Sequence, residues 1–215
     1  MSAGEVFACR NPLWRLFTAR AVIPWVFSGH TLTGEVLELG TGAGANAAAL
    51  LQRYPDVRIT ATDVDPIMLD AARERLAPFG ERAVVRAADA ASLEFGDNSF
   101  DAVVSLIMLH HVGDLRVALG ECARVLRGDG LIVGYDLTRA GPAAWLHRNS
   151  RSGHGHDLAS PEELTSELAH AGFGALAVAT GFGGLVARFS ARRSRFPKDR
   201  RSATTSGSTQ PASRA

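Results

Sequence analysis

The stretch VLELGTGAGANAAALL, residues 36–51, constrains this chain more than any other. A short apolar run reaches Glu38, glycines follow at 40, 42 and 44, and an alanine-rich helical pattern then begins. This reads as a strand, a tight turn and a helix N-terminus. Glycine lets the backbone turn sharply and lets a ligand approach the bare main chain. The helix start offers unpaired N–H groups and a partial positive charge. Such a turn cradles a nucleotide-like ligand. Gly40, Gly42 and Ala45 also satisfy the G-x-G-x-x-G/A dinucleotide pattern, so the turn alone leaves the ligand open. A ligand-free strand–helix turn is the plain alternative. Three alternating glycines argue against it, because each costs unfolded-state entropy for no packing gain.

The segments that follow narrow the choice. RITATDVDPIML, residues 58–69, reads as a second strand ending at Asp63. Asp63 lies 19 residues after Gly44, the spacing of a carboxylate that accepts hydrogen bonds from ribose hydroxyls. Asp65 and Pro66 open the next helix as N-cap and first helical residue, so Asp65 is structural and Asp63 functional. In RAADAASLEF, residues 86–95, Asp89 ends a third strand. SFDAVVSLIMLHHV, residues 99–112, gives a fourth, and ECARVLRGDGLIVGYDL, residues 121–137, a helix, a turn and a fifth strand.

Strands are expected near 35–39, 58–62, 83–87, 101–106 and 131–135, and helices near 44–53, 66–77, 115–126 and 161–171. The apolar runs ALAVAT at 175–180 and GLVARF at 184–189 read as a closing hairpin. Alternation of this kind implies an α/β fold, a mostly parallel sheet with helices on both faces.

The ordered series resembles the class I S-adenosylmethionine-dependent methyltransferases, in particular the small-molecule group with an E-x-G-x-G-x-G first motif. The match runs from about Glu35 to Asp136 and resumes in SPEELTSELAHAGF, residues 160–173. One departure is Gly128-Asp129-Gly130 where the family often has Pro-Gly-Gly; a Gly-Asp-Gly turn makes the same bend. The resemblance implies a Rossmann-like, doubly wound, seven-stranded sheet with an antiparallel final strand. It implies S-adenosyl-L-methionine as cofactor and in-line methyl transfer to a small-molecule acceptor. Gly40, Thr41, Gly42 and Gly44 would lie under the methionine and ribose portions, with Glu38 orienting the amino-acid portion. Asp89 and the Ala90 backbone would read the adenine edge, Val64 and Met68 would pack on its ring, and Ser105 and Leu106 would face the methionine portion. His110 and Asp136, at the ends of the fourth and fifth strands, are candidate general bases. Plainer roles stand beside these: Met68 as core, Asp89 as a turn cap, Asp101 as a cap or orienting group for the fourth strand.

At 215 residues and 46% apolar content the chain reads as one domain plus a tail. Residues 1–33 form a leading helical segment, either covering the cleft or simply packing; 34–189 form the cofactor-binding domain; 190–215 form a disordered basic tail. That tail carries seven basic residues and one acidic, a local charge of +6, which leaves the rest at −5. Its Ser, Thr, Gly and Pro content gives it no aliphatic stripe, and it reads as a solvated extension. A nucleic-acid partner is therefore not expected, and oligomeric state is not legible.

No apolar run approaches the ~20 residues that span a bilayer. AVIPWVF, residues 21–27, does not read as a secretory leader, and Cys9 and Cys122 make no disulfide framework, so a cytoplasmic protein is expected. Cys122 reads as an inert core thiol. Lys198 is the only lysine, which excludes a Schiff-base lysine, a Gly-Lys-Ser/Thr phosphate loop and a Tyr-x-x-x-Lys pair in the domain. His147, His154, His156 and Asp157 lie in a glycine-rich loop that reads as solvated, and no metal is expected. Trp14, Trp25 and Trp145 could line an acceptor pocket or sit in the core. Two other functions fit the glycine turn. One is an NAD-dependent oxidoreductase, which would need neither Glu38 nor Asp89-Ala90. The other is a non-catalytic nucleotide-binding protein, which would bind cofactor without turnover.

Overall fold

The computed structural model describes residues 18–138 and 159–194. Seven strands form one sheet: β1 (Gly34–Leu39), β2 (Val57–Asp63), β3 (Ala83–Ala87), β4 (Phe100–Leu106), β5 (Leu126–Leu137), β6 (Phe173–Gly181) and β7 (Val186–Arg193). Their order is β3-β2-β1-β4-β5-β7-β6. β1 to β5 pair in parallel, and β7 runs antiparallel between β5 and β6. This is the doubly wound sheet that the alternation implies. The order reverses between β1 and β4, and such sheets bind ligands outside the carboxyl ends of their strands at that switch point.

Helices cover both faces. α1 (Ile23–Val26), α2 (Ala45–Arg53) and α3 (Pro66–Leu76) pack with Val36, Ile59 and Val104 on one face. α4 (Leu115–Val125) and α5 (Pro161–His170) pack with Leu37, Val103 and Ile132 on the other. Alternate residues of β1 serve opposite clusters because successive strand side chains point to opposite faces.

Helix starts follow their caps. The Asp65 carboxylate accepts from Ile67 N at 2.8 Å with Pro66 in the first turn, as the sequence implies. Asp114 accepts from Val117 N, and Ser160 and Glu163 close a reciprocal capping box. Asp101 orients the strand starts: it accepts from Glu35 N at 2.8 Å and pairs with Arg127 at 2.7 Å.

Three boundaries differ from expectation. β5 begins at Leu126, not 131, because Phe100 pairs with Leu126 while Ala102 pairs with Leu131, so residues 127–130 bulge. β3 spans Ala83–Ala87 as expected, but Asp89 does not end it: Asp89 lies two residues beyond, and its carboxylate accepts from Ala91 N at 2.9 Å in a turn of its own. The domain does not stop at 189. Ser190 and Ala191 are buried in β7, Arg192 donates to Asp129 O, and Arg193 donates to Leu126 O. Residues 195–215 lie outside the described residues, as do 1–17. The described part of the leading segment is core: Val22, Ile23, Val26 and Phe27 are buried against the sheet. Among the described residues, no helix is long and apolar enough to cross a membrane.

Candidate active site

The loop from β1 to α2 sits at the switch point. Gly40, Gly42 and Gly44 all adopt positive φ, at 64°, 53° and 75°. A Cβ on Gly40 would lie 2.2 Å from Met108 Cγ, so the segment after β4 packs directly on this turn. A Cβ on Gly42 would meet nothing within 4 Å. Gly42 is thus the position where bare backbone faces open space. Gly44 is the N-cap of α2 and offers no capping side chain, which leaves the first turn of that helix available to a ligand.

Hydrogen bonds tie this loop to β1 and β2. Gly42 N donates to Asp63 Oδ2 at 2.8 Å, and Asp65 N to Asp63 Oδ1 at 3.0 Å. Thr41 N donates to Thr62 O at 2.8 Å, and the Thr62 hydroxyl to Glu38 O at 2.8 Å. The Thr41 hydroxyl donates to Glu38 Oε2 at 2.5 Å. Glu38 is only 1% exposed. Burial pushes its carboxyl up to about 7; the Thr41 bond pulls down, and the charge of Asp63 pushes up further. Glu38, Thr41, Gly42 and Asp63 therefore form one connected group.

The other expected cofactor residues fall around it. Val64 is 70% exposed beside Asp63, and Ile67 is 74% exposed one turn on, with Met68 half-buried between them and the core. The next loop is anchored to the same place, since Ala88 N donates to Asp63 O at 3.1 Å. Asp89 is exposed and Ala90 buried. Leu106 is buried with the first cluster, while Ser105 lies between Leu39 and Gly134 on the sheet. Ser105 Oγ is buried with no hydrogen-bond partner among the described residues.

Arg124 is a site-supporting residue that the sequence reading missed. Its guanidinium donates to Leu93 O, Phe95 O, Asp97 and both oxygens of Glu121, which in turn accepts from Leu93 N. It pins the loop that carries Asp89 and Ala90 onto α4. The only signal in sequence was an Arg three residues after a Glu on a helix.

His110 lies in the short turn Leu109–His111 after β4, and Asp136 near the end of β5. His110 Nδ1 is 2.5 Å from Asp136 Oδ1. His110 N also donates to Asp136 Oδ2 at 3.2 Å. The two expected base candidates are therefore partners. They line a pocket with Leu109, Leu115, Leu164 and Ala187.

Comparison with known proteins is consistent with this arrangement. The methyltransferase-domain family matches residues 37–134, from β1 to β5. A malonyl-[acyl-carrier protein] O-methyltransferase from Geobacter sulfurreducens is 33% identical over 161 residues, 71% of this chain and 60% of that protein. The chain belongs to the class I S-adenosylmethionine-dependent methyltransferase family. A ubiquinone/menaquinone biosynthesis C-methyltransferase from Desulfotalea psychrophila is 35% identical over 125 residues, 58% of this chain and 48% of that protein. The chain thus spans about half the length of the curated relatives it matches. Among solved structures, an S-adenosylmethionine-dependent methyltransferase from Thermotoga maritima, described as a possible histamine N-methyltransferase, superposes with a TM-score of 0.67 at 18% identity. That superposition covers 88% of this chain and 98% of the other, and it shows the shared fold.

The site fits the cofactor of this methyltransferase family. Gly42 leaves space for close approach, Val64 and Ile67 are exposed apolar surface beside Asp63, and the Ser105 hydroxyl is buried with no hydrogen-bond partner among the described residues. Of the remaining candidates, Cys122 is fully buried and its thiol is pushed up to about 12, as an inert core thiol should be. Trp25 stacks edge-on with Phe182 under Arg188 and packs, partly buried, against the first core cluster. Trp14, Trp145, His147, His154, His156 and Asp157 lie outside the described residues. Among the described residues no group of three or more His, Cys, Asp or Glu could hold a metal.

Proposed function

We propose that this protein transfers a methyl group from S-adenosyl-L-methionine to a small-molecule acceptor. The observation that carries this reading is the connected group of Glu38, Thr41, Gly42 and Asp63 at the switch point. When bound, the cofactor supplies an electrophilic methyl on a sulfonium. The protein's own residues bind, orient and exclude water. Asp63 uses one lone pair of each oxygen on Gly42 N and Asp65 N. A carboxylate has about four acceptor sites, so the others can take a ribose diol. Glu38 ionises readily against an ammonium group, because a neighbouring cation offsets the burial that raises it. Val64, Ile67 and Met68 wall the base, and Asp89 with the Ala90 backbone meets its edge. Holding donor and acceptor in line at about 3 Å can supply ~7–11 kcal/mol of the barrier reduction.

Calorimetry with S-adenosylmethionine, S-adenosylhomocysteine and NAD tests cofactor choice. Micromolar binding of the first two is expected, and binding of NAD alone overturns the reading. Incubation with labelled methyl donor and a metabolite extract, followed by mass detection of the label, identifies the acceptor.

A further inference from the structure

α3 meets the glycine turn at two adjacent residues. Arg75, in the last turn of α3, donates from its guanidinium to Ala43 O at 2.7 Å. A Cβ on Gly44 would lie 3.2 Å from Ala72 Cα and 3.3 Å from Leu76 Cγ, so the backbone of α3 lies against the turn. Resting on the methyltransferase reading, we propose that Arg75 is a positioning residue for the cofactor: it holds Ala43 O and so joins the glycine turn and the base wall into one cradle, set before the cofactor arrives.

The Ala43–Gly44 peptide is the part of the turn that needs a hold from outside. It follows Gly42 at φ 53° and leads into Gly44 at φ 75°. Glycine loses more conformational freedom on folding than any other residue, so this stretch does not keep its own shape. The residues before it are tied to β2: Thr41 N donates to Thr62 O, and Gly42 N to Asp63 Oδ2. The Ala43–Gly44 peptide is tied at both ends. Gly44 N donates inside the turn to Thr41 O at 3.0 Å, and Arg75 takes the carbonyl from α3. A guanidinium stays charged at any working pH, and its bond to a partly buried carbonyl is stronger than a neutral one. Gly42, one residue earlier, faces open space. The plane of the peptide that Arg75 holds therefore decides which backbone groups the crevice presents.

The same helix carries the residues that wall the base. α3 starts at its Asp65 cap, just after Asp63, with Ile67 and Met68 in its first turn. About two helical turns separate them from Arg75. While the Arg75 bond is intact, the base wall and the glycine turn keep one fixed spacing. A site ordered in advance binds more tightly, because less freedom is lost on binding.

Calorimetry with S-adenosylhomocysteine, melting temperature and amide hydrogen exchange on the full chain test this. Arg75→Met should lower affinity by ~10–100-fold and speed exchange across residues 40–47 in the free protein, with protection restored by saturating ligand. Arg75→Gln, which keeps a polar side chain, serves if the methionine variant does not fold. Arg75→Lys should recover part of the affinity, since an ammonium can still reach a single carbonyl. Arg82→Met is the control. Arg82 donates to Leu51 O, Tyr54 O and Pro55 O at the far end of α2, so its loss should lower melting temperature and leave affinity near that of the unmodified protein. If the Arg75 variants melt lower but keep their affinity and turn exchange, Arg75 only packs α3 and the proposal is overturned. Equal losses of affinity in the Arg75 and Arg82 variants also overturn it, since any loosening around α2 would then suffice. Failure of the unmodified protein to bind S-adenosylhomocysteine defeats the methyltransferase reading itself, and this proposal with it.

Discussion

Asp63 and Asp65 stand two residues apart and are engaged differently: Asp65 caps α3 through Ile67 N, while Asp63 holds the glycine turn through Gly42 N. Asp63→Ala should therefore weaken S-adenosylmethionine binding by about one to three orders of magnitude and also cost ~1–3 kcal/mol of stability. Asp65→Ala should cost ~1 kcal/mol of stability with little loss of affinity. Calorimetry and urea unfolding on both variants separate the two roles. Glu38 gives a pH signature. Its folded value of about 7 lies above its ordinary 4.5, so the folded state holds this proton more firmly than the unfolded chain does. The stability it contributes is full below about 4.5 and is lost as pH rises through about 7. The difference in unfolding free energy between the protein and Glu38→Gln should change by about 3 kcal/mol across that window. A flat difference would show that Glu38 is ionised when folded. Residue identity made Glu38 and Asp63 legible, because the chemistry of each follows from its place after a strand. The His110–Asp136 pairing was not legible, because it depends on the register of β4 against β5 and on a strained φ at Ile107.

At the scale of elements, the glycine turn and the 88–98 loop are held by different means. The turn is held by backbone geometry. Gly40→Ala adds a methyl 2.2 Å from Met108 Cγ to a residue at positive φ, whereas Gly42→Ala adds only the φ strain. Gly40→Ala should therefore lower melting temperature more, while Gly42→Ala should do its greater damage to cofactor affinity, since its Cβ enters the open crevice. Thermal melts and calorimetry on the pair check this; equal losses of stability would show that Met108 moves aside freely. The 88–98 loop depends on Arg124. Arg124→Met removes donors from Leu93 O and Phe95 O and strands Glu121. It should cost ~1–3 kcal/mol, speed amide exchange across residues 88–98 and weaken cofactor binding. Helices and inner strands were readable because caps and glycines mark their ends. The start of β5 was not, because a Gly-Asp-Gly turn looks alike whether it precedes a strand or bulges from one.

For the whole molecule, the sheet decides where the domain ends. Arg192 and Arg193 read in sequence as the start of a charged tail. In the sheet they close β7: Arg192 pairs with Leu131 in register, and Arg193 donates to Leu126 O. Charge misled the reading here because a strand end can keep its guanidiniums in solvent while its backbone and alternate side chains are buried. Ala191, just before them, is fully buried, and Ser190 pairs with Val133. Truncation after 194 should leave the melting temperature and S-adenosylhomocysteine affinity unchanged, because RFPKDRRSATTSGSTQPASRA, with Phe196 its one large apolar side chain, offers too little apolar surface to dock. Truncation after 189 removes the partners of Leu131, Ile132 and Val133, and with them half of the strand that joins β6 to the sheet. Loss of cooperative unfolding, or a fall of many degrees in melting temperature, is expected for that shorter chain alone. If both truncations melt alike and near the full-length value, β7 ends earlier than Arg193 in solution, and the sheet tolerates a frayed junction at its antiparallel edge.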